Sequence, residues 1–156
     1  MWSAGEAKWL NPDVIKPALK EKAKSNKSIR LAKHPFIIAL FIEDFLYSVE
    51  EVVDAWFGSE TVIIDVETRR ILEIKRDRKG LFFYGEKITH RSISSTLVFK
   101  AEGRKNFRGR SLRGWYIENP YANVKVDASI FPVEASYTIL EKDAHGYKLG
   151  WIRRKE

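Results

Sequence analysis

The sequence predicts an α+β fold in which one long amphipathic helix, at about residues 35–57, packs on a curved antiparallel β-sheet or small barrel formed by about residues 61–153. Two observations lead to this prediction. Apolar residues recur at steps of three and four between Pro35 and Gly58, and from Thr61 onward short alternating segments are separated by turn residues. We expect a single domain over 1–156, divided into an N-terminal arm (1–34), the helix (35–58) and a β-rich body (61–156).

The predicted helix begins at Pro35, which suits the first helical position, and ends at Gly58, which suits the position after the last turn. Its apolar stripe consists of Ile38, Phe41, Ile42, Phe45, Val49, Val52, Val53 and Trp56. The first two turns are apolar nearly all round, which indicates burial against the sheet or a contact in a homodimer. In the arm, Pro17 should interrupt any helix and leave a short one at about Ala18–Ser25.

The β-rich body begins with a hairpin, in which strands Thr61–Val66 and Arg70–Arg76 flank a turn at residues 67–69. Further predicted strands are Leu81–Tyr84, Ile88–His90, Ser95–Ala101, Leu112–Glu118, Asn123–Asp127, Ser136–Glu141 and Tyr147–Arg153. Alternation of apolar and polar residues in the later segments is typical of half-buried antiparallel strands.

Composition excludes several classes of function. The chain of 156 residues is 44% hydrophobic and contains no cysteine, so disulfides, thiolate nucleophiles and zinc fingers are excluded. The longest apolar run, Phe36–Ile42, is far shorter than a membrane-spanning helix, and no signal peptide is visible; we expect a cytoplasmic protein that does not bind membranes. The absence of glutamine and the single methionine resemble the composition of thermophilic proteins.

The positive charge is concentrated in the middle of the chain. The net charge is +7, and residues 61–115 carry 14 Lys and Arg against 6 Asp and Glu, whereas the flanking parts are close to neutral. Such a concentration is typical of a surface that binds nucleic acid.

The segment from Lys100 to Tyr116 is the centre of this basic region. It contains six Lys and Arg residues, three aromatic residues and three glycines, with Glu102 as its only acid. Arginine forks bind phosphates, aromatic rings stack on bases, and a long glycine-bearing loop between strands is a common binding element. With the turns around Arg69–Lys79, the predicted nucleic-acid contacts are Arg69, Arg70, Arg76, Lys79, Arg104, Lys105, Phe107, Arg108, Arg110 and Arg113. This function needs no cofactor.

Two alternatives remain open. Asp65, followed on the next strand by Glu73 and Lys75, resembles the active site of the PD-(D/E)XK nuclease family, although Ile64 stands where that family has proline. The resemblance implies that Asp65 and Glu73 hold Mg²⁺ or Mn²⁺ while Lys75 orients the attacking water.

Glu86 and His90, which share one side of a predicted strand, are a second candidate catalytic pair. The other alternative is a structural or partner-binding protein that dimerises through the apolar helix. The sequence leaves DNA or RNA, and single or double strand, undecided.

Overall fold

A computed structural model describes residues 14–24, 34–42, 47–102, 111–143 and 146–154. In this part of the chain there are two α-helices, a 3₁₀ turn at Ala128–Ile130 and nine strands. In chain order they are α1 (Ile15–Lys24), β1 (Phe36–Ile42), α2 (Val49–Phe57), β2 (Glu60–Ile64), β3 (Ile71–Arg76), β4 (Phe83–Tyr84), β5 (Lys87–Ile88), β6 (Ile93–Glu102), β7 (Ser111–Glu118), β8 (Ala135–Asp143) and β9 (Gly146–Arg153).

The main sheet has five strands in the order β1-β6-β7-β8-β9. It is mixed, because β1 runs parallel to β6 and β7 runs parallel to β8, whereas the β6–β7 and β8–β9 pairs are antiparallel. The pairs β2–β3 and β4–β5 form separate two-stranded sheets. The predicted antiparallel sheet or small barrel is therefore wrong: the sheet is open and its topology needs two parallel connections.

The predicted long helix at 35–57 is also wrong. Phe36–Ile42 is the strand β1, and only Val49–Phe57 is helical. A run of seven apolar residues fits the helical and the strand period equally well, and its β-branched and aromatic residues favour a strand. The start of α2 has a local signal that the prediction overlooked: Ser48 precedes the helix, and its backbone N–H donates to the Glu51 carboxylate at 2.6 Å.

The other predicted elements have mixed outcomes. The hairpin of β2 and β3 and the strands β6 to β9 are confirmed with small shifts of their ends. The short helix in the arm is confirmed, but α1 begins before Pro17, because the missing N–H of a proline costs nothing in a first turn. The strand predicted at Asn123–Asp127 is wrong, since this segment joins no sheet; the Tyr116 hydroxyl holds it by donating to the carbonyl of Val126 at 3.0 Å.

The core lies on both faces of the main sheet. On one face, α1 and α2 bury Leu19 and Trp56, and the Trp56 ring stacks on Phe82 at 4.5 Å. On the other face, Leu97 and Tyr116 pack with Val133 in a smaller cluster. The apolar side chains of α2 are buried within this core. They therefore do not form the exposed apolar surface that the predicted dimer contact through a long helix requires.

Asn119 and Gly80 make close contacts with the backbone near the end of the sheet where β6 begins. Asn119 is fully buried, and its amide donates to the carbonyl of Ile93 at 2.7 Å and that of His90 at 3.3 Å while accepting from the Tyr121 N–H at 2.9 Å. Gly80 lies against the end of α2, where an added Cβ would be 2.2 Å from the Trp56 carbonyl oxygen.

Neither described helix has the length and apolar character needed to cross a membrane.

Candidate nucleic-acid interface

The predicted binding loop joins β6 and β7, the second and third strands of the main sheet. Strands β6 and β7 pair in register from Ser95 with Glu118 to Glu102 with Ser111, so residues 103–110 connect their ends. Five of the predicted nucleic-acid contacts belong to this connection and lie outside the described residues: Arg104, Lys105, Phe107, Arg108 and Arg110. The prediction of a long connection between two strands is confirmed at both of its ends.

The cations next to this connection are already engaged within the protein. Arg113 donates through Nε to both oxygens of Glu134, at 2.7 and 2.6 Å, and its guanidinium lies 5.5 Å from the centre of the Trp115 ring. The hydrogen bond from Arg113 lowers the pKa of Glu134 below its ordinary value. Lys100 donates from Nζ to the carbonyl of Tyr47 at 2.8 Å. Arg113 is therefore partly neutralised, which weakens its predicted role as a phosphate contact.

Arg76 is largely buried and bonded to other parts of the protein, unlike an exposed surface cation. Its side chain is only 20% exposed and donates to Asp54 at 2.6 Å, to the carbonyl of Gly58 at 2.5 Å and to Glu60 at 3.2 Å. Burial disfavours its charged form, but the hydrogen bond to Asp54 and the neighbouring Tyr137 outweigh this and raise the pKa of Arg76. These contacts fasten the base of the β2–β3 hairpin to the end of α2.

The remaining predicted contacts in the described part are exposed. Arg69 and Arg70 follow the turn of the β2–β3 hairpin, where Arg69 adopts a left-handed backbone conformation with φ of 57°. Lys79 is exposed beyond β3, and its carbonyl accepts a hydrogen bond from Lys16 Nζ at 2.7 Å. These three side chains are accessible to solvent, and their contact with nucleic acid stays a prediction.

The two groups of predicted contacts, one around Arg69–Lys79 and one in residues 103–110, belong to segments that join the main sheet at opposite ends. Helix α2 begins beside the end of β6, where Lys100 contacts Tyr47, and it ends near the start of β6, where Trp56 meets His90. The β2–β3 hairpin continues from that second end. Glu102, where β6 ends, and the base of the hairpin therefore lie at opposite ends of the sheet.

The nuclease-like residues occupy separate positions on the hairpin. Asp65 accepts hydrogen bonds at Oδ1 from the backbone N–H groups of Glu67 and Thr68, at 2.9 and 3.2 Å, and bonds from Thr68 and Glu67 lower its pKa. Glu73 is paired instead with Lys75 at 3.4 Å. The Asp65 carboxylate closes its own turn, and among the described residues no group of three or more acids and histidines is arranged to hold a metal ion. Metal-dependent cleavage stays a prediction.

Glu86 and His90, the second candidate catalytic pair, lie on either side of β5, and their joint role in catalysis stays a prediction. Glu86 is exposed in the two-residue turn between β4 and β5. His90 is partly buried beyond β5, with its ring edge-on to Trp56 at 6.5 Å and its backbone in a left-handed conformation with φ of 53°. Its carbonyl accepts from the N–H of Ile93 at 3.0 Å, so its visible role is to shape the entry into β6.

One apolar surface of the described residues is exposed to solvent. The apolar side chains of the β2–β3 hairpin alternate as in a half-buried sheet, yet every residue of β2 and all of β3 except Arg76 are exposed. Alternation identifies an apolar face, but it carries no information about what covers that face. This is the feature that reasoning from the sequence missed.

Comparison with known proteins identifies no function. The chain is 30% identical over 94 residues to an uncharacterized protein of Borreliella burgdorferi, a match that covers 60% of this chain. The matched part is 19% of that relative, so the chain spans about a fifth of its length. No protein-family model matches the chain, and no solved structure matches it.

Proposed function

We propose that this protein binds nucleic acid, chiefly through the phosphates, with residues 103–110 as the main contact. The observation that supports this is the position of the connection: it carries Arg104, Lys105, Arg108 and Arg110 between two strands paired in register in the main sheet. Loops held at both ends by regular strands are common binding elements.

The distribution of charge supports the same proposal. The basic excess of the chain lies within residues 61–115, and four of its cations are in this one connection, which contains no acid. Phe107 adds an aromatic face on which a base can stack. Arg69 and Arg70, which are exposed after the turn of the hairpin, add a second contact.

The proposal is tested by fluorescence anisotropy with labelled single- and double-stranded DNA and RNA over a series of salt concentrations. Arg104→Ala, Arg108→Ala and Arg110→Ala should each weaken binding and reduce the slope of log K against log salt by about one. Arg113→Ala is the matched control from the same segment, and it should change the slope much less because Glu134 already neutralises Arg113.

Two results would overturn the proposal. The first is a lack of affinity for all four nucleic acids at low salt. The second is binding whose salt slope is unchanged in all three variants of the connection. Affinity that depends on Arg69→Ala and Arg70→Ala alone would move the interface to the hairpin turn.

A further inference from the structure

The β2–β3 hairpin has one strongly apolar face. Val62 pairs with Ile74, and Ile64 pairs with Ile71, so these four side chains share that face. The register shifts between Ile63 and Ile64, which places the additional residue Leu72 in a β-bulge on the same strand as Ile71. In this pairing Ile71 and Leu72 together lie opposite Ile64.

This apolar face is open to solvent in the described structure. The exposed fractions are 43% for Val62, 53% for Ile64, 60% for Ile71, 65% for Leu72 and 57% for Ile74. An isolated two-stranded hairpin is marginally stable in water and gains stability when an apolar face is covered. Together the five side chains expose on the order of 500 Å², a size at which a patch on a monomer marks a contact with another molecule.

Charge indicates what kind of molecule covers the face. The hairpin from residue 60 to 76 has four acids and four cations and thus no net charge, although the whole chain has +7. On the apolar face the only charged residues are Glu60 and Arg76, which lie at the base and pair with each other at 3.2 Å. A polyanion finds no unpaired cation there, whereas a neutral apolar partner finds a matching surface.

We infer that the occupant is a second copy of this chain, with the two hairpins packed face to face about a two-fold axis. The whole chain carries a net charge of +7, whereas the hairpin that bears this face is neutral, so two copies can approach here without electrostatic repulsion. A two-fold contact uses the same patch on both copies, so an apolar β-branched face is its own complement. Complete burial of two such patches removes about 1,000 Å² from solvent, which reaches the lower limit for a specific interface.

The test is the oligomeric state of the full chain, measured by sedimentation velocity over a range of protein concentrations. The wild-type chain should form a dimer. Ile74→Lys should raise the dimer dissociation constant by roughly 100-fold or more, because two ammonium groups would be buried without partners in each dimer. The matched control is Ile63→Lys, which makes the same change on the opposite face of the same hairpin and should leave the dimer intact.

A second measurement places the contact independently of that variant. Because the chain has no cysteine, Leu72→Cys and Ile63→Cys each introduce a single thiol. A short bis-maleimide should join two Leu72→Cys chains and fail to join two Ile63→Cys chains. Circular dichroism melts of all variants show whether the main sheet and its core remain folded.

Four outcomes would overturn the inference. The wild-type chain could remain monomeric at every concentration, or its dimer could survive Ile74→Lys unchanged. Alternatively, hydrogen exchange could show the hairpin amides protected in a monomer, which would mean that another part of the same chain covers the face. Binding of nucleic acid that Ile74→Lys abolishes in a monomer would assign the face to that ligand instead.

Discussion

Replacing Arg76 by alanine tests whether this residue stabilises the fold or binds nucleic acid. The sequence places Arg76 among the phosphate contacts, whereas the structure buries most of its side chain between α2 and the hairpin. We expect Arg76→Ala to destabilise the fold without weakening the intrinsic affinity of the folded protein for nucleic acid. Removal of Arg76 takes away three contacts at once and leaves the Gly58 carbonyl without this donor.

The size of the effect follows from those contacts. The charged hydrogen bond to the Gly58 carbonyl contributes about 1.5 kcal/mol. The pairs with Asp54 and Glu60 contribute about 0.5 kcal/mol each, because these carboxylates are 42% and 44% exposed and water screens them. With a further contribution of about 0.5 kcal/mol from the Tyr137 ring, the free energy of unfolding should fall by about 3 kcal/mol. At this chain length, that corresponds to a fall in Tm of roughly 6–12 °C.

The assay is urea unfolding followed by circular dichroism, combined with anisotropy titrations at a temperature where both proteins are folded. Arg70→Ala is the matched control, because Arg70 is an exposed arginine of the same hairpin; its effect on stability should stay within about 0.5 kcal/mol. Unchanged stability of Arg76→Ala together with a clear loss of affinity would refute the structural assignment.

Three further predictions concern buried and acidic groups. Asn119→Ala should lower the free energy of unfolding by about 3 kcal/mol, because the carbonyl of Ile93 and the N–H of Tyr121 lose their partner; the exposed Asn123→Ala is the control, and equal effects in urea unfolding would contradict the prediction. Glu134 has a pKa below its ordinary value of 4.5 in the folded state, so its pair with Arg113 stabilises the fold above about pH 4.5 and loses this effect as the pH falls through the lower folded pKa. The stability difference between the wild-type chain and Arg113→Ala should therefore shrink in acid, and a difference that stays constant from neutral to acidic pH would exclude the pair as its cause. Incubation of plasmid and single-stranded DNA with Mg²⁺ or Mn²⁺ tests the nuclease alternative: cleavage that Asp65→Asn abolishes would support it, and intact DNA at high protein concentration would exclude it.

Local patterns predicted the local elements well. The hairpin of β2 and β3 and the strands β7 to β9 follow from period-two alternation and turn residues, which act over a few neighbouring positions. The failure at residues 35–57 has the same physical origin: in Phe36–Ile42 every position is apolar, so alternation is hidden and the helical period is satisfied by default. The spacing of Ser48 and Glu51 was the local signal that could have placed the start of α2 correctly.

The environment of each candidate site residue depended on distant parts of the chain. Arg76 is paired with a residue 22 positions away and Arg113 with one 21 positions away, and nothing in the neighbouring sequence identifies either partner. Reasoning from the sequence therefore counted both arginines as available for phosphates. Arg69 and Arg70 look the same in sequence, yet the structure leaves them exposed.

The sequence by itself determined the basic concentration in residues 61–115, the connection between two strands that carries four cations, and the apolar alternation of the first hairpin. These are properties of composition and of short-range periodicity. The tertiary structure alone decided the parallel pairing of β1 with β6, which cations are neutralised, and the exposure of the apolar hairpin face. Each of these depends on contacts between residues far apart in the chain. The free energy of such contacts cannot be predicted from the pattern of neighbouring residues.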